Sequence, residues 1–326
     1  MQRTAVLARC AEAFVSSVPC YHPLAARRGP KGLVDFRKKE HDTQNRPITV
    51  ACGKCRGCRL ESSRQWAMRI MHEAQVHEAN CFATLTYNPE NLPDNASLHL
   101  PHFQEFMRSL RYHVGERCLD LGIPKRRLRY FHCGEYGELS RPHYHLCLFG
   151  WAFLDDRQLH HDPSRKPSDA PLYTSELLDR AWGKGFTTIG ELTFESAAYT
   201  ARYIMKKVNG PAAIHHYAVY DDQGGKHARA PEYTTMSRRP GIGSAWYDRF
   251  KSDLYPSDTA VTRGYESRVP RYYDKLLEKE DPDLYDMVKQ ARIDADHDEV
   301  NSTPERLRSR ELVAEARSKL FNKRKL

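Results

Sequence analysis

Leu128-Arg-Tyr-Phe-His-Cys-Gly-Glu135-Tyr-Gly137-Glu-Leu-Ser-Arg-Pro142-His143-Tyr-His145-Leu-Cys-Leu-Phe149 holds two runs rich in aromatic and aliphatic residues on either side of a Gly/Ser/Pro segment. That composition predicts a β-hairpin with strands over 128–134 and 143–149 and a turn near Leu139. Successive strand side chains alternate, so His143 and His145 share a face and Tyr144 points away. Glu135 then lies opposite His143 with its carboxylate on the imidazole face. His132 falls on the other face and reads as structural. Two imidazoles and one carboxylate leave positions open for water or a phosphate oxygen, a set that suits Mg²⁺ or Mn²⁺ in phosphoryl chemistry. A bare His-x-His also occurs as a plain surface pair, and it is the Glu135 register that points to a metal.

Outward from the hairpin, periodicity predicts a helix over 62–79 capped by Ser62, a strand over 81–87 stopped by Asn88-Pro89, and a helix over 100–114. On the C-terminal side follow a helix over 175–182, a strand over 185–191 and a helix over 194–208 ended by Gly210-Pro211. The pattern is α+β: a central antiparallel sheet with helices mainly on one face. Residues 1–46 read as an irregular N-terminal arm and 47–215 as the catalytic domain, with a Cys-rich segment at 52–58. Residues 216–326 form a C-terminal region with a hairpin at Gly224-Gly225, a Gly/Pro loop, acidic helices and a basic, helical tail.

The 326 residues carry 51 Lys+Arg against 42 Asp+Glu, a net charge of +9, which points to an anionic partner. Basic residues concentrate in 54–69, 108–129 and 306–325, and acidic ones between 252 and 300. An apolar content of 40% is enough for a packed core and excludes a wholly disordered chain. No run of apolar residues is long enough to span a membrane, so a soluble intracellular protein is expected. Nine cysteines, an odd number without a secretion signal, suggest thiols or metal ligands rather than a disulfide framework. Cys52, Cys55 and Cys58 have the spacing of a structural Zn²⁺ site, with Cys20 or His22 as a fourth ligand. Lys54, Arg56, Arg59 and Arg64 around them could contact DNA phosphates. Arg238 and Arg239 could grip single-stranded DNA where Gly241 and Gly243 allow close backbone approach.

In Tyr199-Thr-Ala-Arg-Tyr203-Ile-Met-Lys206-Lys207 the two phenols are four residues apart and project from one helical face, with Lys206 following Tyr203. Tyrosines so spaced commonly pack half-buried, but they can also act as paired nucleophiles if a cation favours the phenolate.

His143-Tyr-His145 followed by Tyr199-x-x-x-Tyr203-x-x-Lys206 resembles the histidine–hydrophobe–histidine endonucleases that initiate rolling-circle replication, in particular those with two tyrosines. Phe82-Ala-Thr-Leu-Thr-Tyr87 matches that family's first motif. Cys52–Ala67, His132–Gly137, Phe194–Tyr199 and Met236–Gly243 are similar to replication initiators of gokushovirus-like microviruses, small single-stranded DNA phages, and the similarity covers about residues 20–280. The resemblance implies a ferredoxin/RRM-like nickase fold and a metal held by His143, His145 and Glu135. It also implies attack by Tyr199 or Tyr203, assisted by Lys206, on a phosphate of origin DNA. A 5′-phosphotyrosine and a free 3′-hydroxyl result; the hydroxyl primes synthesis, and the second tyrosine later helps rejoin the product. Lys207 would add a phosphate contact. The sequence has no Gly-x-x-x-x-Gly-Lys-Ser/Thr loop, so a host helicase and polymerase are the implied partners, in the cytoplasm of a bacterial host. Relatives usually begin after residue 18, so Met1 is not expected to be the natural start. Two other classes remain in view. A histidine-triad hydrolase would want a third imidazole where Cys147 stands, and a zinc-containing nucleic-acid binder would bind without cleaving.

Overall fold

The computed structural model describes residues 20–29, 33–37, 46–137, 140–161, 170–202, 207–208, 210–220, 224–295 and 300–323. It divides into two compact units: Ser63–Lys251, and the two chain ends up to Ser62 and from Ser252.

In the chain-end unit, β1 (Leu24–Arg28), β2 (Val34–Asp35) and β3 (Arg46–Val50) form a sheet in the order β2-β1-β3. The expected irregular arm is therefore partly ordered, because its Gly/Pro punctuation separates strands too short to show a period. Helix α1 (Arg56–Gln75) starts six residues before the predicted Ser62 cap. Its cap is Cys55, whose Sγ accepts from the Cys58 amide at 3.5 Å while its carbonyl accepts from Arg59 N at 3.0 Å. A sulfur thus takes the place of the usual cap oxygen.

In the Ser63–Lys251 unit, β4 (Asn80–Tyr87) alternates strictly: Cys81, Ala83, Leu85 and Tyr87 are buried, and Phe82, Thr84 and Thr86 lie half-buried on the opposite face. It leads into α2 (Leu100–Asp120), then β5 (Arg129–Tyr136) and β6 (Pro142–Phe149). The short strands β7 (Gln158–Leu159) and β8 (Tyr173–Thr174) precede α3 (Glu176–Trp182), β9 (Gly185–Gly190) and α4 (Phe194–Arg202). After α5 (Ala212–His216) come β10 (Ala218–Tyr220) and β11 (Lys226–Ala228), paired as the hairpin expected at Gly224-Gly225, then β12 (Tyr233–Met236) and α6 (Ser244–Phe250).

The main sheet runs β12-β5-β6-β4-β9-β8-β7 with every neighbouring pair antiparallel. Within it β4-α2-β5-β6-α3-β9 has the order β9-β4-β6-β5, the ferredoxin-like arrangement. Phe103, Phe106, Met107, Leu110, Val114 and Cys118 put one face of α2 against Leu85, Tyr144, Leu146 and Leu148, each large apolar side chain contributing about 1.5–3 kcal/mol. Helices cover both faces of the sheet, not mainly one. Ala67 and Ile70 of α1 and Ala197 of α4 pack on Phe131, Cys147 and Phe149 of the second face. The apolar residues on both faces of β6 required this, since a strand apolar on both sides must be covered twice. Gly185 lets β9 close on β4: at its φ of 149° a Cβ would sit 2.3 Å from the Thr86 carbonyl oxygen.

The helix expected over 194–208 is described to Arg202; Lys207 and Val208 are not helical, and the Val208 amide donates to the Tyr217 phenol at 3.0 Å. The chain-end unit continues with β13 (Thr259–Thr262) paired to β14 (Tyr265–Arg268), α7 (Arg271–Glu280), α8 (Pro282–Asp294) and α9 (Pro304–Lys323). Arg292 of α8 bonds to Asp258 and Asp274, which gives part of the acidic stretch a structural role. Among the described residues no helix is long and apolar enough to cross a membrane.

Candidate active site

The β5–β6 ladder pairs Glu135 with His143 and Cys133 with His145, so one face presents Glu135, His143 and His145 together. Tyr144 points the other way, where its phenol donates to the His99 carbonyl at 3.0 Å and meets the Tyr87 hydroxyl at 2.9 Å. This anchor fixes the strand between the two imidazoles. Glu135 Oε1 lies 2.8 Å from Nε2 of His143 and 2.8 Å from Nε2 of His145. Glu135 is 1% exposed and His145 6%, so this carboxylate is held out of water with the two rings as its neighbours.

The distal nitrogens are also engaged. His145 Nδ1 meets Thr84 Oγ1 at 3.1 Å, and His143 Nδ1 donates to the Arg141 carbonyl at 3.3 Å. A carbonyl only accepts, so the His143 proton sits on Nδ1 and the Nε2 lone pair of a neutral ring faces the Glu135 oxygen. Two acceptors at 2.8 Å need a proton or a cation between them. The ligand atoms of the three residues lie within 4.8 Å of one another, so the set fits a divalent cation with hard and borderline donors.

Helix α4 delivers the phenol. Its start is a reciprocal cap, with Thr193 N donating to Ser196 Oγ at 2.9 Å and Ser196 N to Thr193 Oγ1 at 3.2 Å. The small buried residues Ala197 and Ala201 let the helix lie close to the sheet, and Cys147 Sγ donates to Thr200 Oγ1 at 3.6 Å. Tyr199 consequently leans over the site, its hydroxyl 3.5 Å from Glu135 Oε1 and its ring 5.2 Å from that of His145. At 40% exposed, Tyr199 is the side on which the site meets solvent. Tyr203 and Lys206 lie outside the described residues.

Cys147 is buried against α4, so no third imidazole position completes a histidine triad. His132 occupies the opposite face, stacked on Phe103 at 3.3 Å and hydrogen-bonded to Thr235 Oγ1; burial, then the nearby His145, push its pKa well below the ordinary histidine value. Lys207, Arg238 and Arg239 are exposed in the same unit, and Arg64 is half-buried there. Lys54 is exposed and Arg56 and Arg59 half-buried in the chain-end unit. Cys20, Cys52, Cys55 and Cys58 converge in that unit, whereas His22 pairs with Glu311 at 2.8 Å. Two site residues escape a reading by motif: Thr84, and Phe82, which stacks on His145 at 5.4 Å. Alternation in β4 places them on one face, but only the pairing of Thr84 with His145 shows which face that is.

The family described as replication-associated protein ORF2 matches residues 80–208, from the first residue of β4 past the end of α4. The chain is 36% identical to the replication-associated protein ORF2 of Spiroplasma virus 4 over 257 residues, 75% of this chain and 73% of that protein. The chain belongs to the microvirus replication-initiator family. Two further similar initiator-family proteins are the replication-associated protein VP4 of Bdellovibrio phage phiMH2K and the replication-associated protein ORF4 of Chlamydia phage 1. The first is 29% identical over 82% of this chain and 79% of its own length, the second 27% over 73% and 56%. No solved structure matches. Thr84, Glu135, His143, His145 and Tyr199 all fall inside the matched segment of this initiator, and the cysteine cluster falls before it.

Proposed function

We propose that this replication initiator is a metal-dependent tyrosine endonuclease that nicks single-stranded origin DNA, primes rolling-circle synthesis and rejoins the unit-length product. The observation that carries the reading is the Tyr199 phenol set against Glu135, between two imidazoles that share the same carboxylate oxygen. Mg²⁺ or Mn²⁺ held by His143, His145 and Glu135 would withdraw charge from the scissile phosphate. The Tyr199 hydroxyl donates to Glu135 Oε1, which aims its oxygen into the site and draws on its proton. The phenol oxygen then bonds to phosphorus, the P–O3′ bond breaks, and the 3′ oxygen takes up a proton to leave as a free hydroxyl. The phosphotyrosine keeps the bond energy, so attack by a 3′-hydroxyl rejoins DNA without ATP. Tyr203 is the second nucleophile in this scheme and Lys206 its cation. Lys207, Arg238 and Arg239, with Lys54, Arg56, Arg59 and Arg64, contact phosphates. Unwinding and polymerisation fall to a helicase and a polymerase of the host bacterium, in whose cytoplasm the reaction runs.

A covalent-adduct assay tests this. Protein, single-stranded origin DNA and Mn²⁺ are run on a denaturing gel with Tyr199→Phe, Tyr203→Phe, the double variant and His143→Ala. A DNA-linked band is expected, lost in the double variant and in His143→Ala. Binding without any adduct would overturn the reading.

Thr84→Val removes the partner of His145 Nδ1 while keeping the side-chain shape. Loss of such an outer hydrogen bond costs about 10–100-fold in metal affinity. The half-saturating Mn²⁺ concentration for cleavage is expected to rise accordingly, and a value unchanged from wild type would remove Thr84 from the site.

A further inference from the structure

We infer that Cys20, Cys52, Cys55 and Cys58 form a structural tetrathiolate zinc site that fastens the segment before β1 to the start of α1, apart from the Glu135–His143–His145 centre. The four sulfurs lie within 4.8 Å of one another although Cys20 is 32 residues from Cys52. The antiparallel pairing of β1 and β3, with Leu24 opposite Val50, brings the chain before β1 beside the chain after β3. Tetrahedral zinc with Zn–S of about 2.3 Å requires sulfurs about 3.8 Å apart. Cys52 and Cys58 are 3.9 Å apart, as are Cys20 and Cys55, whereas a disulfide needs about 2.05 Å.

Backbone amides surround the cluster as donors. Cys52 N donates to Cys20 Sγ at 3.2 Å, Cys55 N to Cys52 Sγ at 3.3 Å, and Tyr21 N and Cys58 N to Cys55 Sγ at 3.4 and 3.5 Å. The Gly53 amide bonds to Cys58, so every sulfur accepts an N–H, the pattern that favours thiolates over thiols. Gly53 makes the tight Cys52–Cys55 turn possible, with a φ of 71° that a side chain would strain. Four half-buried thiolates repel one another unless a cation sits among them, and soft sulfur donors in a four-coordinate set select zinc over Mg²⁺ or Mn²⁺. The basic side chains of Lys54, Arg56 and Arg59 follow in sequence and offset the remaining negative charge.

Metal analysis of the full chain purified without added metal is expected to find one zinc per chain. The His143→Ala/His145→Ala variant retains it and Cys52→Ser/Cys58→Ser loses it. Because the cysteine variant can fail to fold, the wild-type chain is also titrated with an organomercurial, and zinc release is expected to track modification of the four thiols. Cobalt substitution should give a thiolate charge-transfer band. No zinc, zinc lost with the histidines rather than the cysteines, iron with acid-labile sulfide, or cysteines recovered as disulfides would each overturn the proposal.

Discussion

Glu135→Gln is expected to slow cleavage of origin single-stranded DNA on the order of a thousandfold while leaving DNA affinity within about twofold of wild type. The substitution keeps the volume of a side chain that is 1% exposed, so the sheet has no cavity to repair. What it removes is the negative charge that faces Nε2 of both His143 and His145 and accepts from Tyr199. A carboxamide binds a divalent cation more weakly and takes no proton from a phenol. If the metal contributes several kcal/mol to the transition state, losing about 4 kcal/mol corresponds to three decades in rate. Single-turnover cleavage in Mn²⁺, read beside a gel-shift titration, separates the two effects. A rate within tenfold of wild type would show that Glu135 is not part of the reacting centre. The amide also leaves two buried imidazoles without an anionic partner, so excess Mn²⁺ should restore only part of the rate.

The parts of this site within one hairpin were legible in the sequence because alternation and a short turn fix register locally. Glu135 opposite His143 follows from counting back across Gly137–Pro142, and the structure has that pairing. Thr84 was not legible: it meets His145 across 61 residues, through a pairing of β4 with β6 that no local pattern encodes. The face of α4 that carries Tyr199 could be read from spacing, but its approach to Glu135 depends on Ala197 and Ala201 packing against the sheet. The start of α1 was hidden because cysteine is not a standard helix cap and acts as one here through its sulfur. Helices on both sheet faces could have been inferred from Phe131, Cys147 and Phe149, apolar residues on the side where a half-solvated sheet would carry polar ones. Glu73 was the least visible of all. It sits among His72, Gln75 and Arg69 in a polar-looking helix end, yet α1 buries it completely.

That burial supports the second large effect: Glu73→Ala is expected to destabilise the Ser63–Lys251 unit by about 3–5 kcal/mol, the cost of leaving a buried charge without its partner. Glu73 forms an ion pair with Arg129, accepts from His77 Nε2 at 3.1 Å, and takes the Gly243 amide at 2.6 Å. Arg129 in turn donates to the carbonyls of Pro240 and Gly241 at 3.0 and 3.2 Å. The pair therefore anchors the Gly/Pro loop that presents Arg238 and Arg239 to solvent. At about 2–4 °C per kcal/mol for a unit of this size, the melting temperature should fall by about 6–20 °C. Glu73→Leu/Arg129→Met, which removes both charges, should lose much less than the two single changes added together. The pH dependence has a definite sign. Burial alone would raise the Glu73 pKa, but hydrogen bonds from His77 and the Gly243 amide, with the charge and hydrogen bond of Arg129, outweigh it and leave the value lowered. A depressed carboxylate contributes fully above its unfolded pKa and loses that contribution as pH falls through the folded value. The gap in stability between wild type and Glu73→Ala should thus be constant at neutral pH and close only in the acid range below the ordinary glutamate value. Thermal melts across that range check it, and a gap that instead closed towards alkaline pH would assign the stabilisation to another group. The same variant should weaken single-stranded DNA binding at neutral pH even where the unit stays folded, because Arg238 and Arg239 lose the buried anchor that holds their loop in place.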